Sequence, residues 1–263
     1  MKKILTLMLA AVMAAAAFAG CGKENGTQSD SEYVKEKGTL IVGITEFKPM
    51  DYRDENGNWI GFDADMANAF AESLGVKAEF VVIEWDGKIM ELDSKNIDCV
   101  WNGMTLVDEV LNGMETTNPY CKNAQVVVVR KDKADAYQSV EDMKDLKFAV
   151  ESESAGEKEL KALGYNYVAL SAQSDALTEV KAGTSDACVI DLLMAGAMIG
   201  EGTSYEELTY TFALNSEEYG VGFRKGSDLA QMLNQFFVDS YNNGSLLAKA
   251  EEYGVQESLI EQK

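Results

Sequence analysis

Among the 263 residues of this chain, Cys21 is the one most plainly placed for covalent chemistry. It follows Ala19 and Gly20, which close an apolar run from Ile4 to Phe18 that Lys2 and Lys3 precede. A basic start, a short apolar stretch and small residues before a break are the parts of a secretory signal peptide, read here over residues 1–20. The run is too short to span a bilayer comfortably. Cleavage before Cys21 would leave a thiol able to carry diacylglycerol, and two acyl chains hold a protein on a membrane where one binds marginally. Phe18 stands where such signals usually carry Leu, which leaves an ordinary cleaved leader and a retained anchor as alternatives. Residues 21–32 then form the lipidated N-terminus and a polar, flexible tether.

The other candidate groups suit binding better than catalysis. Histidine is absent, which removes the commonest general base and zinc ligand and excludes serine triads. Asp191 ends a strand-like run, where a carboxylate without a partner is costly and calls for a cation. Beyond the loop glutamates Glu151 and Glu153 no acid/base pair is evident. Phe47, Trp85 and Trp101 read either as walls of a binding site or as ordinary core. Cys99 and Cys188 lie in apolar runs and read as small core residues; a Cys99–Cys121 bridge is left open. The 44 acidic against 23 basic residues give a charge of −21, which repels phosphate backbones and anionic headgroups and argues against nucleic-acid binding. No metal or cofactor is expected.

These groups need elements to hold them, and the periodicity provides them. Residues 39–45 are a short apolar run, and Asn56-Gly57 marks a tight turn. Asp63 can cap a helix carrying Met66, Phe70 and Leu74, stopped by Gly75. Strand, helix and strand follow at residues 78–83, 88–92 and 97–101. The second half repeats the alternation at 147–150, 157–163, 167–170, 174–181 and 187–190. Such alternation predicts α/β sheets, here two doubly wound lobes. Strand-like crossings at 124–130 and 219–224 join them, and a helix capped by Ser227 brings Leu229, Leu233 and Phe237 back onto the first. Lobe 1 is therefore drawn over 33–126 and 220–263, lobe 2 over 127–219, with a cleft beside a two-strand hinge.

Residues 43–50 (GITEFKPM), 61–67 (GFDADMA), 85–89 (WDGKI), 102–105 (NGMT) and 118–120 (NPY) resemble, in order, the extracytoplasmic solute-binding proteins of polar-amino-acid ABC importers (family 3). Ala182-Gly183, Asp186, Asp191 and Tyr219-Gly220 continue the series, so that it spans about residues 33–258. The resemblance implies a periplasmic-binding-protein-like fold of type II and a non-catalytic, monomeric capture protein that delivers an amino acid or related amine to a membrane permease. A dehydratase-like enzyme on the same fold and an extracellular sensor are the alternatives.

It also implies a site. Glu46 and Phe47 fall in the first loop and Trp85 near the opposite wall. Asn102, Gly103, Met104 and Thr105 match a ligand-contacting segment that also reads as a turn with a helix cap. Glu151, Ser154 and Ala155 match the loop before a helix, and Asp191 matches the acid that takes the ligand's ammonium. Val110 stands where the family usually has an arginine forked onto the α-carboxylate. With no basic residue evidently replacing it, either neutral donors at Asn102, Thr105 and backbone N–H groups hold a carboxylate, or the ligand is a cation with little or no carboxylate.

Overall fold

The computed structural model describes residues 28–263; the expected signal sequence and Cys21 lie outside the described residues. Two sheets organise the chain. The first holds β1 (Thr39–Ile44), β4 (Lys77–Val82), β5 (Cys99–Thr105), β6 (Glu115–Thr116), β7 (Cys121–Asn123) and β13 (Glu217–Phe223). Its order is β4-β1-β5-β13-β6, with β7 also paired to β13. The second holds β8 (Gln125–Arg130), β9 (Lys147–Glu151), β10 (Asn166–Leu170), β11 (Ala187–Asp191) and β12 (Leu208–Ala213), in the order β10-β9-β11-β8-β12. A short hairpin, β2 (Tyr52–Arg53) and β3 (Trp59–Ile60), turns at Gly57.

β5 and β8 are buried along nearly their whole length. That explains why they read as continuous apolar runs rather than alternating ones, since helices cover both faces of each sheet. The helices are α1 (Asp30–Lys37), α2 (Phe62–Ser73), α3 (Lys88–Asp93), α4 (Asp108–Gly113), α5 (Ala155–Leu163), α6 (Gln173–Ala182), α7 (Leu192–Met198), α8 (Leu229–Asn242) and α9 (Ser245–Tyr253). β1 runs parallel to β4 on one side and β5 on the other, and β9 likewise to β10 and β11. Each sheet thus reverses its winding once, and a doubly wound sheet opens a crevice at the carboxyl ends of its strands at that point. The loops after β1 and β5 face those after β9 and β11.

The chain changes sheet at Ala124, between β7 and β8, and at residues 214–216, between β12 and β13. Gln125 and Val126 thus pair in the second sheet and Glu217 to Tyr219 in the first, two to three residues from the boundaries read in the sequence. The crossings hold each other, the Leu214 N–H donating to the Gln125 carbonyl at 2.7 Å and the Gln125 N–H to Asn215 Oδ1 at 2.7 Å. Both paths are two short, mutually bonded strands, the form of a hinge.

α8 returns to the first sheet through Phe237, whose ring lies 5.6 Å from Trp101 and 5.4 Å from Tyr120. Trp101 is fully buried and belongs to this core, not to a binding wall. Asp228 rather than Ser227 occupies the N-cap of α8, and Ser227 Oγ accepts from the Leu229 N–H at 3.3 Å. Asp63 is not a cap either. α2 starts at Phe62, its N-cap Gly61 two residues before the expected one, and Asp63 turns inward to accept from the Gly103 N–H at 2.7 Å and the Tyr120 hydroxyl at 2.8 Å. Cys99, Cys121 and Cys188 are buried free thiols.

α1 is strapped to the first sheet. Ser29 caps it in a capping box, the Ser31 N–H donates to Asp228 Oδ1 at 2.9 Å, and Asp30 meets Arg224 at 3.1 Å. Arg224 also reaches the buried Asp98, which Lys37 pairs from the other side.

Candidate functional site

The crevice between the sheets is lined from the first by Thr45, Phe47, Trp85, Lys88, Asn102, Gly103, Met104, Thr105, Val107 and Val110. From the second and the hinge come Gln125, Glu151, Glu153, Ser154, Ala155, Lys158, Gln173 and Asp191.

Phe47 enters through a tight loop after β1 in which its N–H donates to the Asp51 carbonyl at 2.6 Å. That turn sends Phe47 inward and leaves its neighbour Glu46 exposed, so Glu46 is not part of the cleft. The Phe47 ring sits over Gly103, where a Cβ would meet its Cε1 at 2.5 Å; Gly103 also has φ +52. A side chain here would displace the aromatic wall, which is why the β5 segment carries glycine.

The polar side chains of β5 are committed within the protein. Asn102 Oδ1 accepts from the Thr45 N–H at 3.0 Å and the Thr45 hydroxyl at 2.7 Å, while its Nδ2 donates to the Thr45 carbonyl at 2.9 Å and Asp51 Oδ2 at 2.8 Å. Thr105 Oγ1 donates to Glu217 Oε1 at 2.9 Å. These residues shape the wall, but they are not the uncommitted donors that the sequence invited one to expect.

On the facing wall, Ser154 caps α5, its Oγ accepting from the Glu157 N–H at 3.1 Å. The first turn of a helix has N–H groups without helical partners, and those of α5 begin at Ala155 in the cleft. Glu153, one residue before the cap, holds φ +54, a left-handed conformation that favours glycine. Its N–H donates to Glu157 Oε2 at 2.8 Å and its Oε1 accepts from Lys161 at 3.2 Å, contacts that offset the strain.

Asp191 lies over the hinge in a ring of neutral donors. Oδ1 accepts from Asn123 Nδ2 and Tyr219 OH, both at 2.5 Å, and from Gln125 Nε2 at 3.1 Å. Oδ2 accepts from Gln173 alone. Burial, then the nearby Glu217, pushes its carboxyl up to about 7. Glu151 is less well served: among the described residues its buried Oε1 has no hydrogen-bond partner, and burial, then Asp191, pushes it up to about 8.

Positive charge is present after all. Lys88 opens α3 and is buried at 2% exposure, its Nζ donating to the Trp85 carbonyl at 3.0 Å and lying 4.9 Å from the centre of the Trp85 ring. Burial lowers its pKa. Lys158 stands at the rim and bridges the two walls to Glu109 at 2.7 Å. The lack of an arginine at Val110 therefore does not leave the cleft without cations. Lys88, Gln125 and Gln173 escaped the sequence reading, which placed residue 88 at the start of a helix and within the WDGKI segment but gave it no role in the site.

The family model of the bacterial extracellular solute-binding proteins, family 3, matches residues 40–256. The chain is 31% identical to the arginine-binding extracellular protein ArtP of Bacillus subtilis (strain 168) over 94% of its own length and 95% of that protein. It is 29% identical to the L-cystine-binding protein TcyJ of Escherichia coli (strain K12), covering 93% and 94%. Among solved structures, the P235GK mutant of ArgBP from T. maritima superposes with a TM-score of 0.80 at 33% identity, over 85% of this chain and 98% of that one.

Proposed function

This chain belongs to the bacterial extracellular solute-binding proteins of family 3, and from that footing we propose that it captures an amino acid between its two sheets and delivers it to the permease of an ABC importer. The observation that carries the reading is the meeting of buried acids, Glu151 and Asp191, with the aromatic wall of Phe47 and Trp85 in one cleft. Acids that pair with no cation among the described residues suit a ligand ammonium, and the rings suit its apolar part. The relatives are binding proteins, in keeping with capture rather than turnover.

Two bodies, residues 30–123 with 217–263 and residues 125–213, close on the solute. A ligand that touches both favours the closed state by its differential affinity. The protein works outside the cytoplasm as a monomer, held to the membrane by an acylated Cys21. Cys21→Ser should release it from membranes or block its processing, and intact-mass analysis from the native host that finds Cys21 unmodified would overturn the anchor.

Mass spectrometry of the molecule that copurifies with the protein, together with a thermal-shift screen of the standard L-amino acids and L-cystine, tests the function. At least one amino acid should raise Tm by several degrees, as binding to the native state alone requires. A screen in which none does so, with no amino acid copurifying, would overturn the reading.

A further inference from the structure

We infer that Lys88 is the carboxylate anchor of the cleft, doing from α3 what a fork at position 110 would do from α4. The inference rests on the amino-acid reading of the site and deepens it.

Lys88 is buried at 2% exposure on the same wall as Val110. An ammonium has three donors; one reaches the Trp85 carbonyl, and among the described residues Nζ has no other hydrogen-bond partner and no ion pair. A lysine stem long enough to reach solvent ordinarily does so, and an ammonium buried for one carbonyl is costly unless an anion completes its surroundings. Across the cleft stands the opposite defect: Glu151, 3% exposed, with Oε1 unpartnered. The lysine and the acid face one cleft and form no ion pair with each other. A molecule carrying one negative and at least one positive group, the charge pattern of an amino acid, satisfies both by standing between them. The burial that lowers the pKa of Lys88 acts in the same sense, since a bound carboxylate would restore the charged form. A lysine presents a compact point charge where arginine presents a rigid fork. The carboxylate is therefore free to turn toward the N–H groups that open α5 in the other lobe.

A cycle between protein and ligand tests this. The unaltered protein and Lys88→Met are titrated by calorimetry with the amino acid that gives the largest thermal shift and with its carboxamide, which keeps the shape but removes the charge. For the unaltered protein the carboxamide should bind about 10- to 100-fold more weakly, the range for a hydrogen bond to a charged group. In Lys88→Met that ratio should fall below about threefold, because each change removes the same interaction. Lys88→Gln, which keeps a polar head, should behave alike and provides the measurement if the Met variant does not melt cooperatively. Adding Val110→Arg to Lys88→Met should restore part of the discrimination. A carboxylate-to-carboxamide ratio that is unchanged in the Lys88 variants overturns the assignment while leaving amino-acid capture standing; an unaltered protein that binds no amino acid overturns both.

Discussion

Ligand-free protein should melt roughly 5–10 °C higher at pH 5 than at pH 8, the reverse of what a chain stabilised by surface carboxylate pairs would do. Burial pushes Asp63 and Asp191 up to about 7 and Glu151 up to about 8, whereas ordinary carboxyls titrate near 4. Between those limits the native state holds more protons than the unfolded chain. Stability therefore falls as pH rises, by about 1.4 kcal/mol per pH unit for each independent group. Asp63 and Asp191 each have acidic neighbours, Asp51 and Glu217, so the net change is smaller than a simple sum: a few kcal/mol, which the Tm shift above expresses. Acids with lowered pKa, such as Asp228 and Glu109, withdraw their stabilisation only below the ordinary carboxyl range. They set the acid limb and leave the slope above it alone. Glu151→Gln should flatten that slope and raise Tm at pH 8, since the amide fits without a buried charge. Salt separates this from general repulsion on an acidic protein, because buried groups are screened far less than surface ones. A Tm that is flat or rising from pH 5 to 8, or a slope abolished by about 0.5 M salt, would refute the account.

Arg224→Met should cost about 3–5 kcal/mol, the usual penalty for removing one partner from a buried ion cluster. Its guanidinium holds Asp30 at 3.1 Å, Asp98 at 3.3 Å and the Ile97 carbonyl at 2.8 Å. Asp98 is wholly buried, so the change leaves a carboxylate with Lys37 and the Ile41 N–H as its remaining partners. The contrast is Arg130, whose pair with Asp132 is exposed on both sides; Arg130→Met should cost under about 1 kcal/mol. Denaturant melts of the two variants check the difference, and a loss below about 1 kcal/mol for Arg224→Met would deny the cluster its structural role.

The fold was legible because its signals are local. β5 and β8 are buried on both faces, so a single run of apolar residues announces them, and Gly183 ends α6 in the left-handed conformation that glycine favours. Ser154 and Asp191 were legible for a related reason, each sitting where a strand gives way to a helix. What the sequence hides is commitment across distance. Asn102 looks like a free donor until Thr45, 57 residues away, takes its side chain. Asp63 looks like a helix cap until Gly103 and Tyr120 claim it. Lys88 is the sharper case: a lysine beginning a short helix is ordinarily solvated, and only the tertiary packing of Trp85 and the facing wall encloses it. Glu46 went astray by one residue, since a reversal of direction in the loop decides which of two neighbours points inward.

The strap that binds α1 to the first sheet has a mechanical consequence. Ser31, Asp30 and Lys37 tie the start of the described chain to Asp228, Arg224 and Asp98, all remote from the crossings at Ala124 and residues 214–216. Moored through the residues that precede α1, the molecule would have one stationary jaw and one free one. With such an anchor, a tug on the mooring would load the ion cluster in the first lobe and bypass the two crossings, so drag would not prise the mouth open.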